Sequence, residues 1–291
     1  MPSLADCIRL ACRAEVLARK PGNVHPEAAF DDLRAADFLR AADAASPWLA
    51  EAGRLGVGRA VFEAVRATRE CCASNVNLGI CLLIAPCAAA DRDHDFRESI
   101  EQVLAGLTID DAAWVYRAIR VAAPGGLGEA NEQDVAEEPT VTLRDAMQLA
   151  AVRDGVAAQY ANGFRDVRDI GVRNLVAAAP QGVETAIVLA HLNFMAAMPD
   201  TLIARKCGEA VARESAEKAR AVLNAGWPSP DAQPHFEEFD VWLRADGHRR
   251  NPGTSADLVA ASLFVALWWM AIDPARLDQW IAGRVSTCPL D

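Results

Sequence analysis

The chain is short of positive charge. Its 291 residues carry 29 Lys and Arg against 40 Asp and Glu, a net charge of −11. Nucleic acids and anionic membranes are held by basic footprints, so neither is expected as a partner, and any cations must serve a local site. The eight cysteines (Cys7, Cys12, Cys71, Cys72, Cys81, Cys87, Cys207 and Cys288) include no C-x-x-C pair and sit mostly among Ala, Leu and Ile. That pattern predicts buried free thiols in a reducing cytoplasm, not disulfides or a zinc centre. The longest apolar stretch, Leu258–Ile272, is shorter than the ~20 residues that span a bilayer. The N-terminus, Met1-Pro2-Ser3-Leu4-Ala5-Asp6, has no basic region followed by an apolar core, so no signal peptide is expected. Alternating β-branched runs are nearly absent, apart from Phe236–Leu243, as are internal repeats and low-complexity tracts.

What is there reads as helix. Ala212, Ala216, Ala219 and Leu223 recur at i, i+4, i+7 and i+11 with charges between them, and Gly226 and Pro228 supply a stop. Thr142-x-x-Asp145 resembles a capping box that opens an Ala-rich helix running to about Gly163. Val183–Met198 is apolar almost all round, the mark of a helix at the centre of a bundle. Nothing in the middle reads as a linker, and 52% hydrophobic residues suffice for one core. The expectation is an all-α, single-domain multi-helix bundle over residues 1–291.

Three polar segments interrupt this pattern. In Asn251-Pro252-Gly253-Thr254-Ser255-Ala256-Asp257-Leu258 a Pro-Gly turn runs into the apolar stretch. A helix N-terminus there would aim N–H groups, and the Thr254 and Ser255 hydroxyls, at a phosphate. Alternatively, Thr254 and Asp257 form a capping box. Glu15-x4-Lys20-Pro21-Gly22-Asn23-Val24-His25 sets a carboxylate, a cation, an amide and an imidazole around a second turn, a density that suits substrate contact. Asp200-Thr201-Leu202-Ile203-Ala204-Arg205-Lys206-Cys207-Gly208 joins one acid to two cations, although Asp200 could equally be a helix N-cap. His191, inside an apolar helix, reads as a hydrogen-bonded core histidine, and His94, among Asp91, Asp93 and Asp95, as a solvated loop residue.

Lys20-Pro21-Gly22, Asp200-Thr201 with Arg205, and Pro252 to Leu258 stand in the order and approximate spacing of the triphosphoribosyl-dephospho-CoA synthase family, which this chain resembles from about Glu15 to Leu267. The resemblance implies a helical fold and a transferase. Family members cleave the glycosidic bond of ATP, release adenine, and join the triphosphoribosyl group in α linkage to a hydroxyl of 3′-dephospho-CoA. Substitution at an anomeric carbon needs carboxyl groups to move protons and stabilise an oxocarbenium-like state, with cations for the phosphates. Glu15, Asp32, Asp200 and Asp257 are the expected catalytic carboxylates. Lys20, Gly22, Asn23, His25, Asn75, Asn77, Glu129, Arg205, Lys206, Gly253, Thr254 and Ser255 are the expected substrate contacts. Glu129 enters from a glycine-rich turn, Pro124-Gly125-Gly126-Leu127-Gly128-Glu129, whose alternative reading is a plain helix connection. Mg²⁺ is the expected cofactor, on Asp200 and Asp257 together with the phosphates.

The chain departs from the family pattern. Asn75-Val76-Asn77-Leu78-Gly79 stands where the family carries Asn-Thr-His-Lys-Gly, and Phe30 stands in place of a His. Asn77-Leu78-Gly79 and Gly126-Leu127-Gly128 resemble a branch from organisms that carry tetrahydromethanopterin, a coenzyme with an α-ribosyl group on a ribitol hydroxyl. The expected reaction is therefore α-ribosyl transfer from ATP or another activated ribose phosphate to dephospho-CoA or a pterin-pathway intermediate. A non-catalytic nucleotide- or CoA-binding homologue is the alternative. Ala-rich apolar helices are compatible with a homodimer.

Overall fold

A computed structural model describes residues 2–72, 74–122 and 133–287; Glu129 and Cys288 lie outside them. Among the described residues there are sixteen α-helices and no strands. Helices α1 (Leu4–Leu17), α2 (Ala35–Leu49), α3 (Ala52–Leu55), α4 (Val57–Cys71) and α5 (Leu78–Ala89) open the chain. Next come α6 (Phe96–Ala105), α7 (Ile109–Ala122), α8 (Leu143–Ala150), α9 (Gly155–Asn162), a π-helical turn (Val167–Val172) and α10 (Arg173–Ala178). The last third holds α11 (Val183–Ala197), α12 (Thr201–Cys207), α13 (Glu209–Asn224), α14 (Gln233–Arg244), α15 (Gly253–Trp268) and α16 (Pro274–Thr287).

The axis of the bundle is α15, buried from Thr254 to Leu267 except at Asp257. An all-round apolar helix must be covered on every side, and α1, α5, α11 and the π-helical turn pack around it. Helix α5 is equally apolar and lies in the same core. Among the described residues the interior holds a small cluster of Ala41, Cys72 and Val76 and two large ones. The larger joins α1, α2, α4, α5, α7, α15 and their neighbours. The smaller holds Val188, Leu192 and Met195 of α11 with Ile203, Ala212, Ala219, Val222, Phe239 and Leu243 from α12, α13 and α14. Helix α11 gives Ile187, Ala190 and Phe194 to the first and its other face to the second, so its sequence is apolar all round.

The helix expected from Thr142 to Gly163 is two helices. Thr142 caps α8 as expected, its Oγ1 accepting from Asp145 N–H at 3.2 Å. The chain then stops at Ala150, and Asp154 caps a second helix by accepting from the Val156 and Ala157 N–H groups at 2.9 and 3.0 Å. An aspartate that takes first-turn donors starts a new helix, and its capping preference overrides the Ala-rich composition. Phe236–Leu243 is helical, part of α14, because Phe236, Phe239 and Leu243 share a helical face toward the smaller cluster.

The Ala212 to Leu223 pattern is α13, which buries Ala212, Ala216 and Ala219. The seven described cysteines are all free, and Cys71 is exposed. Among the described residues no single helix is long and apolar enough to cross a membrane.

Candidate active site

The three polar segments meet. A cavity of about 810 Å³ opens between the ends of α1, α5, α12 and α15 and the walls made by α7, α8 and α9. That volume lies in the usual range for small-molecule sites, roughly 300–1,000 Å³. Glu15, Asn77, Gly79 and Asp257 contribute carboxyl, amide and backbone surface. Arg69, Arg153, Arg205 and Lys206 bring the cations, with His248, Asn23, Asn251 and Thr254 among them. Val115, Tyr116, Ile119, Leu143 and Met147 form an apolar side.

Asp257 projects from α15, one turn after its start, against α5. A Cβ on Gly79 would lie 2.1 Å from Asp257 Oδ2, so only glycine lets the carboxyl rest there. Burial, followed by the charges of Glu15, Asp200 and Asp154, pushes the Asp257 carboxyl well above the usual range. A carboxyl in such surroundings holds its proton more tightly than a solvated one. Glu15, on the last turn of α1, is buried but borders the same cavity. Burial raises its pKa too, against the opposing pull of Lys20, whose Nζ is 2.9 Å from Glu15 Oε1.

Several expected contacts are used within the protein. Lys20 is completely buried on Glu15 and does not border the cavity where a phosphate would sit. Gly22 has φ +70°, its N–H donates to Asp240 Oδ1 at 2.6 Å, and an added Cβ would meet Leu243 at 2.6 Å. Its role is in the turn. His25 faces Glu27, with Nδ1 2.9 Å from Oε2, away from the cavity, and burial lowers its pKa to about 4.

Asp200 is an N-cap and more. Its Oδ1 accepts from the Leu202 and Ile203 N–H groups at 2.9 and 3.2 Å, while Oδ2 accepts from Ser255 N–H and Oγ at 2.7 and 2.8 Å. Four hydrogen bonds saturate a buried carboxyl that does not line the cavity. Asp200 is thus a clamp between α12 and α15, unsuited to catalysis or to a metal. The same bonds occupy Ser255. The phosphate seat expected at the start of α15 is therefore taken by the protein's own anion. Gly253 N–H is also engaged, donating to Asn251 O at 2.9 Å. No capping box forms: the helix begins at Gly253, and Thr254 Oγ1 lies 3.0 Å from Thr201 Oγ1.

Other expected residues do border the cavity. Asn23 Nδ2 donates to Asn251 Oδ1 at 2.8 Å, joining the Lys-Pro-Gly turn to the start of α15. Asn75 Oδ1 accepts from Leu78 N–H at 3.2 Å, and Asn77 Nδ2 donates to Thr68 Oγ1 at 2.9 Å. Asp32 is exposed at the rim, its Oδ1 2.9 Å from His248 Nδ1, and Phe30 meets the His248 ring edge-on. Water screens a carboxyl placed there, so Asp32 suits the mouth better than the chemistry. Arg205 Nη1 lies 3.5 Å from Asp154 Oδ2, and Lys206 beside it has its pKa lowered by partial burial.

Sequence reasoning missed Asp154, Arg153, Asn251, Arg69 and His248. Asp154-Gly155 at a helix start was the available signal for the first. His191 is wholly buried as expected, but neither ring nitrogen has a hydrogen-bond partner; burial and Lys20 lower its pKa to about 3. His94 is exposed, as expected.

Residues 1–272 match the sequence profile of ATP:dephospho-CoA triphosphoribosyl transferase. The chain belongs to that family. A crystal structure from Archaeoglobus fulgidus, provisionally named a triphosphoribosyl-dephospho-CoA synthase, superposes with a TM-score of 0.62 at 24% identity, over 79% of this chain and 97% of that one. At this identity the likeness establishes the shared fold. No curated protein matches the chain. Membership supports ribosyl-group transfer as the broad chemistry.

Proposed function

We propose that the cavity catalyses transfer of an α-ribosyl group from ATP, or another activated ribose phosphate such as phosphoribosyl pyrophosphate, to an acceptor hydroxyl. The acceptor is dephospho-CoA or a pterin intermediate on the way to tetrahydromethanopterin. One observation carries this reading: the half-buried Asp257 and the buried Glu15, two carboxyl groups, border the same cavity as Arg153, Arg205 and Lys206. Separated acid/base and phosphate-binding surfaces are what substitution at a phosphorylated anomeric carbon requires.

Asp257, held protonated by its surroundings, donates to the departing base. Glu15 faces the positive charge that develops on the ribose and takes the proton of the acceptor hydroxyl. The cations orient the phosphates, and removing positional freedom at the anomeric carbon lowers the barrier further. Asn77 and Leu78, at the family's His and Lys positions, offer the phosphates no charge, so the load falls on the α12 cations.

Among the described residues no cluster of three metal-ligating groups exists. That suits Mg²⁺, which needs one or two carboxylates and completes its shell with phosphate oxygens and water. Asp154 would hold it beside the triphosphate, and the ion would neutralise phosphate charge. Asp257 fits the proton-donor role better than the metal role expected for it, since a protonated carboxyl is a poor ligand.

The test is release of free adenine from Mg-ATP with and without dephospho-CoA. Adenine that appears only with dephospho-CoA supports the reaction on that acceptor. ATP binding without adenine moves the acceptor to the pterin intermediates, to be assayed in turn. ATP binding with turnover on none of them would leave a nucleotide-binding homologue and overturn the proposal.

A further inference from the structure

The Lys-Pro-Gly turn delivers its lysine to an unexpected place. An ammonium group has three donors and no acceptor. Lys20 Nζ donates to Glu15 O and to Ala18 O at 3.3 Å, and lies 2.9 Å from Glu15 Oε1 in an ion pair. The side chain is 0% exposed and does not border the cavity, whereas Glu15 does. Helix α1 ends at Leu17 and turns extended at Ala18, which leaves last-turn carbonyls without helical partners. The lysine folds back onto those carbonyls, where the helix dipole favours a cation. The same cation thereby fixes the end of α1 and the carboxyl it carries.

We propose that Lys20 is a positioning residue, which holds Glu15 against the cavity as an ionised carboxylate while touching no substrate itself. The proposal rests on Glu15 acting on the transferring ribosyl group. Lys20 supplies the counter-charge that lets a carboxylate exist in a buried setting, where a lone charge would instead neutralise. The other charged or titratable groups facing the pair are Cys12 and Asp257 near Glu15, and His25, Arg244, Glu184 and His191 near Lys20. Arg244 opposes the charge on Lys20, and Lys20 is the near cation that sustains the Glu15 carboxylate.

The test is Lys20→Met in the whole chain, which keeps the apolar stem and removes the charge. Two readouts are followed. Without substrate, the Glu15 side-chain carboxyl is titrated by ¹³C NMR, its signal assigned by its loss in Glu15→Gln. The midpoint should rise by at least one pH unit in Lys20→Met, because the interaction that opposes burial is gone. With the donor and acceptor found to react, kcat at neutral pH should fall tenfold or more and recover as pH rises, with KM for the donor within twofold. The double variant Glu15→Gln/Lys20→Met should fold better than Lys20→Met alone and stay inactive, since neutrality is restored and the carboxylate is not.

A raised donor KM with an unmoved pH profile would assign Lys20 to phosphate and overturn the proposal. So would an unchanged Glu15 titration. If Lys20→Met does not fold, Lys20→Gln carries the same two readouts. If no ribosyl donor is turned over, the proposed function fails by the kinetic arm, while the NMR arm still decides whether Lys20 sustains the Glu15 charge.

Discussion

Two aspartates that look alike in sequence have opposite stability signatures. Asp257 has a folded-state pKa above its unfolded value of about 4. Its contribution to stability is complete below that unfolded value and is lost as pH rises through the folded pKa. Asp257→Asn removes that loss. The variant should therefore melt higher than the parent at neutral pH, with the gap closing toward acid, while turnover falls about 100-fold or more. Calorimetry across pH beside an adenine-release assay checks both halves; a variant that is active, or less stable at neutral pH, contradicts the assignment. Asp200→Asn should do the reverse to stability. An amide nitrogen in place of Oδ2 cannot accept from Ser255 N–H at 2.7 Å, so a buried donor is left unpaired at a cost of about 2 kcal/mol. Urea unfolding measures that cost, and no loss would mean that the clamp between α12 and α15 is dispensable.

At the scale of elements, the site depends on where helices stop. The break between α8 and α9 puts Asp154 and Arg153 on the cavity wall, and Thr201 holds the break in place: its Oγ1 accepts from Gly155 N–H at 3.0 Å and meets Thr254 Oγ1. Thr201→Val leaves both partners short, which should cost roughly 1–2 kcal/mol and raise the donor KM with little change in kcat. Denaturant melts and steady-state kinetics test this; a fall in kcat at constant KM would place Thr201 in the chemistry instead. This is also where the sequence was only partly legible. Composition and spacing identified the helices because α15 and α13 carry their burial pattern openly. The polar turns around Lys20, Asp200 and Pro252 converge as their clustering suggested. The direction each side chain takes from its turn was not readable. Lys20, Ser255 and Asp200 carry the charges or hydroxyls of a phosphate site, yet each is consumed by a tertiary partner far along the chain or by its own helix end. Asp154 was easily passed over because its one signal, Asp154-Gly155, lies inside an Ala-rich stretch that reads as a single helix.

For the whole molecule, α11 is the shared wall of two apolar clusters. Neither cluster can lose it and keep its own core, so the bundle should unfold in one transition. Trp227 and Trp242 lie at the smaller cluster and Trp48 at the larger. Fluorescence from variants that retain one of these tryptophans should share a midpoint with far-ultraviolet circular dichroism, and two separated midpoints would mean that the clusters are independent. The net charge of −11 sets a second expectation. An anionic donor must be held by short-range contacts with the α12 cations, so its affinity should weaken between about 0.1 and 1 M salt, as the Debye length falls from ~10 to ~3 Å. Titration calorimetry at the two salt levels measures this, and salt-independent affinity would argue against a charge-led site. The Asp200 carboxylate beneath Ser255 has a consequence for inhibitor design. The start of α15 already contains a resident mimic of a phosphate, covalently part of the chain and present at unbeatable local concentration. Compounds that aim an anionic group at that helix end would compete with an occupant that never dissociates, whereas compounds directed at Arg205 and Lys206 would meet cations that border the cavity.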